Sequence, residues 1–116
     1  MEQSQWTPIC QHKDLIPNSG VCAKLGQAQV AIFYCKRSEK IYALCNFDPF
    51  GQAYVLSRGI IGSIEATPVV ASPLYKQHFN LETGECLEDA TVKLKTYPVR
   101  IHDGQVQLRQ PELAHA

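Results

Sequence analysis

Tyr97-Pro98-Val99-Arg100-Ile101-His102, then Asp103-Gly104, then Gln105-Val106-Gln107-Leu108-Arg109 is the stretch that decides the fold class. Apolar and polar residues alternate on both sides of the Asp-Gly pair, which is the period of strands with one buried face. Asp-Gly tolerates positive φ at two consecutive positions, as a two-residue hairpin turn requires. The same pattern recurs upstream, where Gly26-Gln27 separates the strand-like residues 21–25 from 29–35. Trp6-Thr7-Pro8-Ile9-Cys10 reads as an opening strand, placed at a sheet edge because Pro8 has no N–H to donate. One helical turn fits His12-Lys13-Asp14-Leu15-Ile16-Pro17, and Ile41-Tyr42-Ala43-Leu44-Cys45 reads as a further strand. The middle is looser. Asn46-Phe47-Asp48-Pro49-Phe50-Gly51 reads as a loop, and Ile60, Ile61 and Ile64 around Gly62 as a short strand with a bulge or sharp bend. Pro68-Val69-Val70-Ala71-Ser72-Pro73 reads as a brief strand. Phe79-Asn80-Leu81 leads into the turn Glu82-Thr83-Gly84-Glu85. Helical periodicity is nearly absent. The expectation is an all-β protein, an antiparallel sandwich or small partly open barrel, forming one domain over residues 1–116.

Composition narrows the function classes. The 116 residues carry 11 Lys+Arg against 11 Asp+Glu, so the basic excess that general binding to nucleic acid or an anionic membrane needs is missing. At 45% hydrophobic and 19% charged, the chain has the means to build a core. No apolar run reaches the ~18 residues of a membrane helix, and Met1-Glu2-Gln3-Ser4-Gln5 lacks the basic-then-apolar form of an export signal. The five cysteines include no C-x-x-C pair, which fits a reducing, cytoplasmic setting and gives no zinc-ligand spacing. Cys22 and Cys35 read as small buried hydrophobes. Gly59-Ile60-Ile61-Gly62 lacks the lysine of a phosphate-binding loop. No catalytic constellation emerges from the residues themselves.

Two segments carry a resemblance. Ser72-Pro73-Leu74-Tyr75-Lys76-Gln77-His78-Phe79-Asn80-Leu81-Glu82-Thr83-Gly84-Glu85-Cys86 resembles the second cluster-binding loop of Rieske iron–sulfur proteins, where the family reads Cys-Pro-x-His. Ile41-Tyr42-Ala43-Leu44-Cys45-Asn46-Phe47 resembles the strand and loop with the first pair, Cys-x-His. The resemblance implies a Rieske-like domain in which residues from about 45 to 86 form a degenerate cluster-binding subdomain, with Cys45, Phe47, Ser72 and Tyr75 at the four ligand positions. A Rieske [2Fe–2S] cluster takes two thiolates and two imidazoles. Of the four residues only Cys45 keeps a ligand type, so the expectation is that this chain binds no metal and no cofactor.

The substituted positions are part of a closer resemblance. Asn46-Phe47-Asp48-Pro49-Phe50, Leu56-Ser57-Arg58-Gly59-Ile60 and Ala71-Ser72-Pro73-Leu74-Tyr75-Lys76-Gln77-His78-Phe79 are similar to the small subunits of cytoplasmic NAD(P)H-dependent nitrite reductases. That resemblance implies a non-catalytic accessory chain. Its partner would be a large subunit that uses NAD(P)H, FAD, a [4Fe–4S] cluster and sirohaem to reduce nitrite to ammonium. The alternatives are a Rieske-type ferredoxin with an atypical iron site near Cys45, Cys86 and His78, and a stand-alone binding module. Phe47, Phe50 and Tyr54 make residues 46–54 aromatic-rich, and aromatics are enriched at interface anchors. They are expected to bind the partner, with Arg58, Lys76 and His78 as a polar rim.

Overall fold

The computed structural model describes residues 6–74 and 76–111. Eleven strands run through them: β1 (Thr7–Gln11), β2 (Ser19–Leu25), β3 (Ala28–Cys35), β4 (Lys40–Cys45), β5 (Phe47–Asp48), β6 (Ala53–Tyr54), β7 (Ile60–Ile64), β8 (Thr67–Ala71), β9 (His78–Asn80), β10 (Val99–His102) and β11 (Gln105–Leu108). Single 3-10 turns cover His12–Asp14 and Leu56–Arg58. The strands form four small sheets, ordered β1-β11-β10, β2-β3-β4, β5-β6 and β7-β8-β9, and every pairing is antiparallel. The chain is all-β, and its described sheets stack without closing into a barrel.

Strand β3 explains the stacking. Successive side chains on a strand point to opposite faces. Val30 and Ile32 enter one apolar cluster, with Leu15, Leu25, Ala43, Tyr97, Val106 and Leu108. Ala31 and Phe33 enter another, with Leu44, Leu56, Val70, Phe79, Leu81, Cys86 and Leu94. All four β3 residues are fully buried. Full burial of a Val, Ile or Phe side chain is worth about 1.5–3 kcal/mol, so β3 stabilises the layers on both of its faces. The open edge of β4 is capped by the returning chain. The Cys45 amide donates to the Lys95 carbonyl at 2.8 Å and the Tyr97 amide to the Ala43 carbonyl at 3.0 Å.

The hairpins form where the sequence puts them. Asp103 (φ 52°) and Gly104 (φ 77°) both take positive φ, joining β10 to β11. Gly26 (φ 62°) opens the β2–β3 turn, and β1 lies at an edge, with its register shift just after Pro8. Three expectations change. Residues 46–54 are not an open loop, because Phe47 pairs with Tyr54 and Asp48 with Ala53 in a two-residue ladder. β7 pairs with β8 in unbroken register, without the expected bulge. Cys22 is exposed and Cys35 partly so, because Cys22 shares the outer face of edge strand β2 with Lys24. Strands β5 to β9 all fall within residues 45–86, and Val70 of β8 and Phe79 of β9 share one cluster with Ala31 and Phe33 of β3 and Leu44 of β4.

Gly84 and Gly104 separate two costs of a side chain at positive φ. Both sit there, at 84° and 77°, but a Cβ on Gly84 would lie 2.1 Å from the Leu94 carbonyl oxygen while one on Gly104 meets nothing within 4 Å. Gly104→Ala is expected to lose about 1 kcal/mol from the left-handed backbone alone. Gly84→Ala is expected to lose about 3 kcal/mol or more, since backbone must move as well. Urea denaturation midpoints of the two variants check the difference; equal losses would contradict it.

Candidate functional site

Two connections meet through Asp48 and Ser72: residues 46–54, after β4, and the described residues of 72–77, between β8 and β9. Asn46 and Asp48 hold the first from inside; they are 1% and 0% exposed. The Asn46 Nδ2 donates to the Tyr54 carbonyl at 3.1 Å, and its Oδ1 accepts from the Ser57 amide at 2.7 Å. The Asp48 Oδ1 accepts from the Phe50 amide at 2.9 Å and the Gly51 amide at 3.2 Å, the local turn that Asx side chains favour. Ser72, 1% exposed, organises the second connection. Its amide donates to the Gln77 carbonyl at 2.9 Å, and its carbonyl accepts from the Lys76 amide at 3.1 Å. Its Oγ accepts from the Leu74 amide at 3.2 Å and donates its own proton to the Asp48 Oδ2, joining the two connections. Leu74 lies against Gly51, where a Cβ would come within 2.3 Å of its Cδ1.

The expected site residues fall into distinct settings. Cys45 ends β4 opposite Val30 and packs with the cluster on the β11 side. The residue that meets Ser72 is Asp48. Phe47 is half-buried, its ring 5.0 Å from that of Tyr54. Phe50 is half-buried too, but it packs into the core with its ring 6.2 Å from Phe79. Tyr54 is 55% exposed. Arg58 and Lys76 are exposed. His78 is engaged with Glu88: its Nδ1 lies 2.6 Å from one carboxyl oxygen and its amide donates to the other at 2.8 Å. Partial burial pushes the Glu88 carboxyl up, but the hydrogen bonds from His78 outweigh it and hold the group below the usual carboxylate range. Tyr75 lies outside the described residues.

This donor set does not fit a [2Fe–2S] cluster. Two thiolates and two imidazoles are needed, and the side chains that meet between the two connections are a carboxyl and a hydroxyl already hydrogen-bonded to each other. Oxygen donors are poor substitutes for thiolate on iron–sulfur centres. Among the described residues no three His, Cys, Asp or Glu side chains converge as a metal site. Sequence reasoning passed over three residues. Asn46 and Asp48 read as turn formers, although polar residues at i and i+2 just before Pro49 are a signal for side chains that satisfy a loop's own backbone. Leu74, 46% exposed, gave no signal at all.

Residues 5–109 match the Rieske-like [2Fe-2S] domain. The nitrite reductase (NADH) small subunit of Escherichia coli K12 is 49% identical over 106 residues, covering 91% of this chain and 98% of that protein. The structure of the E. coli protein NirD superposes with a TM-score of 0.87 at 47% identity, covering 95% of this chain and 100% of that one. The nitrite reductase [NAD(P)H] large subunit of Klebsiella oxytoca is 34% identical over 108 residues, which span 93% of this chain and 11% of that far longer protein.

Two outcomes are expected at the site. Elemental analysis should find no stoichiometric iron or zinc, and a chelator should leave the melting temperature unchanged, because the carboxyl and hydroxyl that join these connections already hydrogen-bond to each other. Phe50→Ala should lower stability by about 2 kcal/mol, the loss of a partly buried ring from the core. Tyr54→Ala should lower it by no more than about 1 kcal/mol, the scale of one aromatic pair. Thermal melts of both variants check the ranking.

Proposed function

The chain belongs to the Rieske-like [2Fe-2S] domain family and, within it, to the small subunits of NAD(P)H-dependent nitrite reductase, and on that premise we propose that it docks on the large subunit through the tips of its two connections without carrying electrons itself. The large subunit would take electrons from NAD(P)H, carry FAD, a [4Fe–4S] cluster and sirohaem, and reduce nitrite to ammonium in the cytoplasm. This chain would contribute no catalytic residue.

The observation that carries the reading is the contrast between a locked interior and an apolar exterior at one end of the domain. Asn46, Asp48 and Ser72 are buried beneath the tips, while Tyr54 and Leu74 project from them at 55% and 46% exposure. A pre-ordered surface loses little conformational entropy on binding. Exposed aromatic and aliphatic anchors with a charged rim are the usual makings of an interface, and Arg58 and Lys76 stand close by in sequence. Phe47 supports the Tyr54 ring from behind. Phe50, first expected as an anchor, serves the core, and His78 is partly occupied by Glu88. The four former ligand positions are better assigned to Asp48 and Phe50 with Ser72 and Tyr75. Asp48-x-Phe50 keeps the x-spacing of the first pair, and Asp48 is the residue that faces Ser72. The similar region inside the K. oxytoca large subunit supports a domain that works in attachment to the catalytic chain.

Tyr54→Ala and Leu74→Ala should each weaken binding to the purified large subunit by about tenfold, or 1.4 kcal/mol. Nitrite reduction should fall at limiting small subunit and recover at excess. Ile101→Ala, in β10 of a different sheet and 37% exposed, serves as the control. Titration calorimetry showing parental affinity for both tip variants would place the interface elsewhere.

A further inference from the structure

We infer that Asp48 and Ser72 are a positioning pair for docking, their buried hydrogen bond joining the two tips into one surface. The inference rests on the proposed docking to the large subunit. A carboxyl buried in a protein is costly unless its oxygens are satisfied, and Asp48 is 0% exposed. Among the described residues its partners all come from the two connections: the Phe50 and Gly51 amides on one side and the Ser72 hydroxyl on the other. Ser72 Oγ accepts from the Leu74 amide in turn. A single run of hydrogen bonds therefore leads from the backbone beneath Leu74, through Ser72 and Asp48, to the backbone of Phe50 and Gly51.

The pair fixes direction as well as distance. An apolar pair of similar volume would fill the same space without orienting either segment, because packing is non-directional whereas a hydrogen bond weakens steeply off-line. The first connection passes its position on to Tyr54 through the Phe47–Tyr54 and Asp48–Ala53 pairing and through Asn46, whose Nδ2 holds the Tyr54 carbonyl. The second presents Leu74, seated on Gly51 with no room for a Cβ between them. The exposed anchors thus take their mutual placement from a hydrogen bond that touches no partner.

The test separates this role from simple stabilisation. In free Ser72→Ala, amide hydrogen exchange at Phe50, Gly51 and Leu74 should accelerate at least tenfold while Val30 and Ile32 in β3 keep their protection. Affinity for the purified large-subunit holoenzyme should fall at least tenfold, with turnover on nitrite restored at saturating small subunit. Asp48→Asn keeps the side chain's shape and the acceptor for the Phe50 and Gly51 amides. It should shift affinity in the same direction, and it stands in where Ser72→Ala does not fold. The double variant should lose no more than the worse single one, since both remove one interaction. Unchanged exchange at the three amides would overturn the tie. Faster exchange with parental affinity, while Tyr54→Ala loses affinity, would overturn the positioning role and leave the docking reading standing. Parental affinity in Tyr54→Ala as well would remove the docking reading and the inference with it, whereas the exchange data would still show the tie in the free protein.

Discussion

The structure depends on β3 being apolar on both faces. A strand exposed on one side needs a single partner layer, whereas one that buries Val30 and Ile32 on one face and Ala31 and Phe33 on the other demands two. The β1-β11-β10 sheet answers the first demand and the β7-β8-β9 sheet the second. The region between β4 and the end of β9 shares one apolar cluster with β3 and β4. That shared support is what lets its two connections be irregular at their tips while remaining fixed at their roots.

On the proposed assignment, those tips exchange the chemistry of a metal-binding frame for that of a protein interior. A cluster would tie two segments together through iron; here a hydroxyl donates to a carboxyl, and an aromatic ring in the first segment fills space against Phe79. Each replacement satisfies or buries what it brings. The Asp48 oxygens take local amides and the Ser72 hydroxyl, and the Phe50 ring joins an existing cluster. The outcome is an ordered end with Tyr54 and Leu74 exposed.

The hairpins around Gly26 and Asp103-Gly104 were legible because turn chemistry is local: φ preferences act within two residues and need no tertiary partner. The edge position of β1 was legible for the same reason, since a missing N–H belongs to Pro8 wherever it folds. The resemblance carried by Ser72-Pro73 and by Asn46 to Phe50 placed the chain in its family without reference to any long-range contact. The proposed assignment moves the first ligand pair three residues along, from Cys45 and Phe47 to Asp48 and Phe50. A cysteine is the more familiar iron ligand, and nothing in a linear sequence says which of two nearby positions faces a third that lies 24 residues from Asp48.

Sequence by itself determined the all-β class, the hairpin turns at Gly26 and Asp103-Gly104, and the family, all of which follow from residue type and short spacing. Tertiary structure decided what long-range approach decides. It sent Cys45 to the β11 side and Asp48 to Ser72, turned Phe50 inward and Tyr54 outward, and left Cys22 on a solvent face. The physical reason is that burial and hydrogen-bond partnership are properties of pairs of segments. Asp48 and Ser72 lie 24 residues apart in sequence, so only the folded arrangement gives the carboxyl and the hydroxyl each other to bond.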